Sequence, residues 1–445
     1  MKPLSRALFR APTLDLGGFI NARVIRDHSK RKVFEANEQR RQALRYMIRN
    51  TALPAQVRAS AQLHLTKMHC YTRPTQINNR CVLGGIARGV FRDFRIAREL
   101  GYFINEDDQI RQIANPTQKY QYKVNRNDRV NEVYKDTMNT CCRRLVDQRL
   151  KALGLQTIRL PLGTTATDPH VPIYASKDVE QKKRVIIIFG ERHLEPGIFS
   201  YRVMGEEGNN IGSAISLVES ILNKNSSHTA EDDVPGIILT NPGQLLWYRG
   251  RGRAVTWTEW MALPRESAVH ESFRIDPDKN KIPKNGDYRE HVGCVFDDAL
   301  PELLHKDAKV DIIGLEWTGN AVVEYLSQHW PIWQGQIDGI CFCEPQHTIP
   351  DLINIHGAPQ SLIDFLSRRS RAYLLSDKPL DTPLEERDEC GCNRYASGED
   401  LYQENIIIRS WPSMLRWFEE LSSVEGFEEV EGPFDGQVQA ITEDI

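Results

Sequence analysis

A chain of 445 residues with a formal net charge of -3 is long for one domain and comfortable for two. The charge is unevenly spread: residues 1–98 hold 20 Lys and Arg against 5 Asp and Glu, which leaves 37 against 55 in the rest. No apolar run reaches eighteen residues, so no membrane-spanning helix is expected, and nine cysteines with no C-x-x-C pair and no secretory leader are expected to be reduced and intracellular.

Residues 1–14 carry Lys2, Arg6 and Arg10 beside Leu4, Leu8 and Phe9, with no acidic side chain before Asp15. This resembles a mitochondrial targeting segment; the basic arm of an RNA-binding protein is the equal alternative. Glu35 to Asn50 reads as a helix on which Arg41, Arg45 and Arg49 share one face and Leu44 and Ile48 lie on a neighbouring one. Pro54 opens a second helical stretch, QVRASAQLHLTKM. A turn-rich run follows. In it Gly84, Gly85 and Gly89 permit close backbone approach, and Asn79, Arg80, Arg88, Arg92, Arg95 and Arg98 supply polar and cationic contacts. Phe91 and Phe94 sit among them, able to stack on bases or to fill a small core. A basic block of this length suits RNA, because each neutralised phosphate releases counterions.

Three motifs in order carry a family resemblance. They are Arg49-Asn50 with Leu53-Pro54; Thr75, Ile77, Asn79, Arg80 and Cys81; and Arg88, Gly89, Val90, Arg92, Phe94 and Arg98. Over residues 23–98 the chain resembles the small-subunit ribosomal protein S-fourteen family, in its bacterial and organellar, zinc-free branch. The resemblance implies small-subunit ribosomal RNA and neighbouring ribosomal proteins as partners, with Arg41, Arg45, Arg49, Asn79, Arg80, Arg88, Arg92, Arg95 and Arg98 as RNA-binding residues. It departs from the family at Gly84-Gly85-Ile86, where T-G-R is usual, and after Arg98, where the family's short ending is missing.

From Leu100 the chemistry changes. A helix is expected at about 128–153. Short apolar runs then alternate with helical stretches: Arg184–Gly190, Gly236–Asn241, Val310–Leu315, Gly339–Glu344, Ala372–Ser376 and Asn405–Arg409 as strands. Ser213–Leu222, Val292–Leu304, Ala321–His329, Pro359–Ser367 and Pro412–Leu421 are the helices, and Asn223–Asp233 is a polar loop. Buried strands alternating with helices predict a mostly parallel sheet covered on both faces. The overall expectation is a mixed fold: a small, mainly helical basic RNA-binding segment (1–99), an α/β domain with an α/β-hydrolase-like sheet (100–424), and an acidic disordered tail (425–445).

In such a sheet a sharp strand-to-helix turn exposes a nucleophile. The corresponding turn is Ile313-Gly314-Leu315-Glu316-Trp317-Thr318-Gly319, a degenerate elbow with Gly314 and Thr318 around a central Glu316 where a serine would stand. A carboxylate nucleophile needs a histidine base after the last strand, yet the last histidine of the chain is His356. Catalytic residues are therefore expected to be none, and Glu316 is expected to cap a helix start or hold a buried hydrogen bond.

The segments 100–116, 149–161, 240–244, 311–320 and 389–400 make residues 100–410 resemble the argonaute-binding-protein-type α/β domain of fungal heterochromatin factors and some histone deacetylases. That resemblance implies argonaute or chromatin-silencing partners and a nuclear alternative to the mitochondrial ribosome, with a fusion of two neighbouring genes as a further alternative. His193, beside the loop where hydrolases place oxyanion donors, is expected to be an ordinary surface histidine. The Gly250-Arg251-Gly252-Arg253 run, near Trp247, Trp257 and Trp260, reads as a surface turn, with RNA contact as the alternative. Cys341-x-Cys343 and Cys390-x-Cys392 could join as a four-sulfur set, although the spacing is unusual for zinc. No cofactor fingerprint is present, so no cofactor and no metal are expected.

Overall fold

A computed structural model describes residues 22–77, 101–124, 126, 128–223, 234–263, 274–384, 390–424 and 426–429. The chain forms two compact units. One is Met1–Leu100 with Gln121–Thr137 and Met261–Arg274; the other is Gly101–Tyr120 with Met138–Trp260 and Ile275–Ile445. Beyond the passage at Leu100, the chain returns to the first unit twice, at Gln121–Thr137 and at Met261–Arg274.

In the first unit, α1 (Ala22–Arg49) and α2 (Ala55–Lys67) form a helical hairpin. The expected first helix starts thirteen residues earlier than its apolar spacing indicated, at Ala22 rather than Glu35. Asn50 ends α1, its side chain accepting the Ala52 N–H at 3.0 Å, and Pro54 precedes α2, where a missing N–H costs nothing. Two short 3-10 turns, Cys70–Thr72 and Pro74–Gln76, follow. Val33 and Ala61 are the buried apolar side chains of this hairpin among the described residues, while Tyr46 and Leu63 are 70% and 61% exposed.

In the second unit, α3 (Asp128–Ala152, which begins in the first) leads into β1 (Leu155–Leu160) and β2 (Val171–Ser176). Then come β3 (Arg184–Phe189), α4 (Ile215–Asn223), β4 (Gly236–Leu239), α5 (Tyr288–Cys294), β5 (Lys309–Leu315), α6 (Glu316–Trp333) and β6 (Ile337–Cys343). The unit ends with α7 (Gln360–Arg369), β7 (Ser370–Leu374), β8 (Asn393–Ala396) and α8 (Ile406–Ser423). Two small antiparallel hairpins stand apart from the main sheet, Tyr102–Ile104 with Ile110–Gln112 and Leu246–Tyr248 with Arg253–Val255.

The eight strands pair in the order β8-β7-β6-β5-β3-β4-β2-β1. All neighbours are parallel except β4/β2 and β2/β1. That order, with the second strand reversed, is the α/β-hydrolase arrangement. β3, β5 and β6 lie at its centre and are almost wholly buried, as runs such as Val185–Phe189 and Val310–Leu315 require of strands covered on both faces. One face is packed by Val292, Phe296, Trp330, Trp333, Leu362 and Leu366. On the other, α8 comes so close to β6 that a Cβ on Gly339 would lie 2.6 Å from Leu421 Cδ1.

Three expectations are corrected. Asn405–Arg409 is not a strand: Ile406, Ile407 and Ile408 begin α8, and all three are buried because the helix start is enclosed. A short continuous apolar run cannot by itself distinguish the two. The eighth strand is Asn393–Ala396, and β1 and β2 were not expected as strands at all. Within the stretch expected to be a tail, Glu429 is buried and held by four side chains, while residues 425 and 430–445 lie outside the described residues. The polar loop at 223–233 lies, beyond Asn223, outside the described residues.

Candidate functional site

On the hairpin, α1 carries Arg41, Arg45 and Arg49 four residues apart, one above another on the same face. Arg45 and Arg49 are exposed. Arg41 is half-buried and donates from Nη1 to Thr72 Oγ1 at 3.1 Å, while Thr72 donates to the His69 carbonyl at 2.7 Å. His69 Nδ1 accepts the Tyr71 N–H at 3.2 Å, and Lys30 Nζ lies 5.3 Å from the Tyr71 ring centroid. The 70–76 turns are therefore fixed against α1 by one arginine and by a cation over an aromatic ring. Desolvation, then the charges of Arg73 and Arg45, push the Arg41 guanidinium below its ordinary value. Arg73, absent from the expected set, thus belongs to the same positive cluster. Asn79, Arg80, Arg88, Arg92, Arg95 and Arg98 lie outside the described residues.

At the elbow, β5 runs to Leu315 and α6 starts at Glu316, whose φ is +45°. A non-glycine residue in that region is strained, and such strain is usual where a side chain is presented at a strand-to-helix turn. The turn closes because Gly314 and Gly319 touch backbone to backbone. A Cβ on Gly314 would lie 2.5 Å from Gly319 Cα, and one on Gly319 would lie 3.0 Å from the Gly314 carbonyl carbon. Thr318 is fully buried, its hydroxyl 2.6 Å from the Leu315 carbonyl, 2.7 Å from that of Gly190 and 3.1 Å from that of Phe189. It ties the elbow to the end of β3 and is not free to act as a nucleophile.

Glu316 is half-buried. Burial raises its carboxyl, the negative charges of Glu404 and Glu344 add to this, and Arg192 opposes it. Glu191, at the end of β3, is pushed up to about 7 by burial and then by Glu316 and Glu404. The Arg192 guanidinium stands 5.0 Å from the Trp317 ring centroid and 5.8 Å from that of Tyr288. The elbow therefore displays carboxylates of raised proton affinity around one stacked arginine. His193 is exposed, and partial desolvation beside Arg192 lowers it.

The places where a hydrolase keeps its acid and its histidine are taken up structurally. Asp381, beyond β7, accepts from Ser413 Oγ at 2.6 Å and from Tyr373 OH at 3.2 Å. Glu399, beyond β8, accepts the Tyr402 N–H at 3.3 Å and Asn405 Nδ2 at 3.2 Å, which braces the approach to α8. Elsewhere, His291 is buried between Asn285 Oδ1 (2.6 Å) and the Asn241 N–H (3.1 Å), and burial pushes it down to about 3. Among the described residues no group of three or more His, Cys, Asp or Glu side chains is placed to hold a metal ion. The Gly250–Arg253 run is the tip of the Leu246–Val255 hairpin. Its Arg253 is paired to Glu259, which also takes Arg143 Nη1 and Nη2 at 3.1 Å each, whereas Arg251 is exposed.

The comparisons with known proteins divide along the same lines. A family model described as the Arb2 domain matches residues 97–380, and one described as ribosomal protein S14p/S29e matches residues 64–99. Small ribosomal subunit protein uS14m of Neurospora crassa is 66% identical over 92 residues, 21% of this chain and 81% of that protein. The chain belongs to the Arb2 domain family and, through its basic first part, to the uS14m family. The uS14m proteins of Eremothecium gossypii and Schizosaccharomyces pombe are 52% and 38% identical over 81 residues, 18% of this chain and 71% and 77% of theirs. Among solved structures, esterase B of Lactobacillus rhamnosis is 11% identical over 67% of this chain and 97% of that one, at a TM-score of 0.27. The assignment of the Arb2 unit's fold rests on its strand order instead.

Proposed function

We propose that this protein is a constituent of the mitochondrial small ribosomal subunit, bound to ribosomal RNA through its uS14m part and carrying a non-catalytic Arb2 unit. The observation that carries the reading is the 66% identity to the Neurospora crassa protein over 81% of that protein's length. The physical state of the hairpin supports it. The exposed Tyr46, Arg45 and Arg49 suit a phosphate-rich, base-bearing partner. Arg41, braced against Thr72, positions the 70–76 turns, and Asn79, Arg80, Arg88, Arg92, Arg95 and Arg98 are the further side chains assigned to RNA in this reading. For the Arb2 unit, the carboxylate at the elbow, without a histidine beyond β7 or β8, supports a binding role.

Proteomics of salt-washed mitochondrial small subunits tests this. Peptides from both 22–77 and 138–424 in the same particle are the expected result. Peptides from 1–98 alone would reject the Arb2 unit as a resident of the ribosome, and transcripts that never bridge the codons for Arg98 and Leu100 would reject the single chain.

The Arb2 match, together with an acidic remainder of 55 Asp and Glu against 37 Lys and Arg, favours a second reading for that unit: recognition of an argonaute or chromatin-silencing protein. Its test is co-purification of residues 101–445 with argonaute in nuclear extract, under conditions where ribosomes are absent.

A further inference from the structure

We propose that Cys390-Gly391-Cys392 is a peroxide-oxidisable dithiol that closes into an intrachain disulfide at the entry to β8. The two Sγ atoms lie 3.7 Å apart, with the Cys390 side chain 3% exposed and Cys392 fully buried. They meet because Gly391 between them has φ +77°, a bend that a side chain would not accept: its Cβ would lie 2.4 Å from Ile349 Cδ1. The first cysteine is anchored from behind, since its carbonyl is 3.1 Å from His347 Nε2. Burial pushes His347 down to about 4, so it is neutral and donates from Nε2. To bond, the sulfurs must close from 3.7 Å to about 2.05 Å while the Gly391 bend lets the two side chains turn to a torsion of about 90° across the bond.

The two thiols are unequal in the way such chemistry needs. Hydrogen bonds to the Cys392 thiol and backbone, with the nearby Arg394 charge, hold Cys390 below the ordinary thiol value against its burial, while Cys392 stands well above it. Cys390, the sulfur with some access to solvent, is the one that attacks, and the fully buried Cys392 is the one that resolves. By contrast, burial pushes Cys142 up to about 12 and Cys294 up to about 11, and it raises Cys341 as well. The near-complete burial of the pair selects an oxidant no larger than hydrogen peroxide.

In the first step the Cys390 thiolate attacks one peroxide oxygen and the O–O bond breaks. This leaves the sulfenic acid at Cys390 and a hydroxide that takes up a proton to form water. In the second, Cys392 loses its proton, its sulfur attacks the Cys390 sulfur, the S–O bond breaks and a second water leaves. Two thiols are oxidised by two electrons and one peroxide is reduced to two waters. The bridge would fix the segment that leads straight into Asn393, which opens β8 opposite Arg371.

The full chain is treated with hydrogen peroxide under native conditions, alkylated in denaturant and digested with trypsin. Both cysteines fall in one peptide, 388–394. The expected result is loss of two hydrogens from that peptide with no alkylation, at peroxide levels that leave the Cys142 and Cys341 peptides alkylated. A doubly alkylated 388–394 peptide from a sample in which the exposed Cys70 is already oxidised would overturn the proposal. In Cys392→Ser oxidised while folded and then unfolded in denaturant that contains dimedone, Cys390 should carry the dimedone label; an unlabelled Cys390 would equally overturn the proposal. If that variant does not fold, the wild-type peptide decides alone.

Discussion

Trp417 donates its indole Nε1–H to Glu429 Oε2 at 2.8 Å, so that a helix buried on the sheet is latched to a residue six positions past its end. The other oxygen of the same carboxylate accepts from Tyr395 OH at 2.6 Å, Arg371 Nε at 2.9 Å and Asn393 Nδ2 at 3.3 Å. Glu429 thus joins β7, β8 and α8 at one point. Its charge is the partner of Arg371, whose guanidinium is 4.8 Å from the Tyr395 ring centroid and 5.2 Å from that of Trp417.

Removing this carboxylate leaves Arg371 charged and largely buried without its partner. Glu429→Ala is expected to cost about 3 kcal/mol of unfolding free energy, the usual scale for breaking such a pair from one side. Glu429→Gln, which keeps an acceptor, should cost less. Urea unfolding followed by tryptophan fluorescence measures both. A variant truncated after Val424 should fall with Glu429→Ala, and a truncation without effect would show that the latch contributes nothing.

The elbow makes a second prediction. Gly314→Ala inserts a methyl group where Gly319 Cα already stands 2.5 Å from its position, so strand and helix must separate. Overpacking of this kind costs about 1–3 kcal/mol. Gly335→Ala, at an exposed site with nothing within 4 Å of the new Cβ, should change stability by less than about 0.5 kcal/mol. Denaturant melts of the two variants side by side check this. Glu316→Ser should leave p-nitrophenyl ester hydrolysis at background, because no histidine is supplied to the hydroxyl.

Much of this was legible in sequence, for definite reasons. Runs such as Arg184–Phe189 and Lys309–Leu315 are buried on both faces, and continuous branched apolar residues read the same way in a line of text as in a sheet. The elbow was legible because Gly314 and Gly319 are needed there sterically, whatever stands between them. β1 was not, since Leu155–Leu160 is an edge strand with polar residues on its exposed positions. Nor was the start of α8, where three buried isoleucines mimic a strand. Glu191, Arg73 and Glu429 were invisible for a different reason. Their roles come from neighbours distant in sequence, and nothing local marks Glu429 as other than one more acid in an acidic tail.

Glu191 gives a pH prediction. Its folded value of about 7 exceeds the ordinary 4.5, so the folded state holds this proton more tightly than the unfolded chain does. Stability from this group is therefore fully present below pH 4.5 and declines as pH rises through 7. Glu316→Gln removes one of the negative charges responsible. It should bring Glu191 down and flatten the loss of stability between pH 5 and pH 8, as read by urea midpoints at the two pH values. A midpoint difference that Glu316→Gln leaves unchanged would mean that the two carboxylates do not interact.

The arginine face of α1 predicts a graded response to salt. Arg45 and Arg49 are exposed, so Arg45→Ala and Arg49→Ala should weaken binding of small-subunit ribosomal RNA to the full chain while leaving its helicity intact. Each should reduce the slope of log K against log salt by about 0.7–0.9, the share of one phosphate. Arg41→Ala should behave differently. It loses the bond to Thr72 along with a charge, so affinity falls further than the slope accounts for, because the 70–76 turns lose their brace. Filter binding from low to moderate salt separates the two behaviours. Arg251→Ala, on the hairpin tip of the Arb2 unit, should leave both affinity and slope unchanged; a reduced slope there would place that tip on the RNA as well.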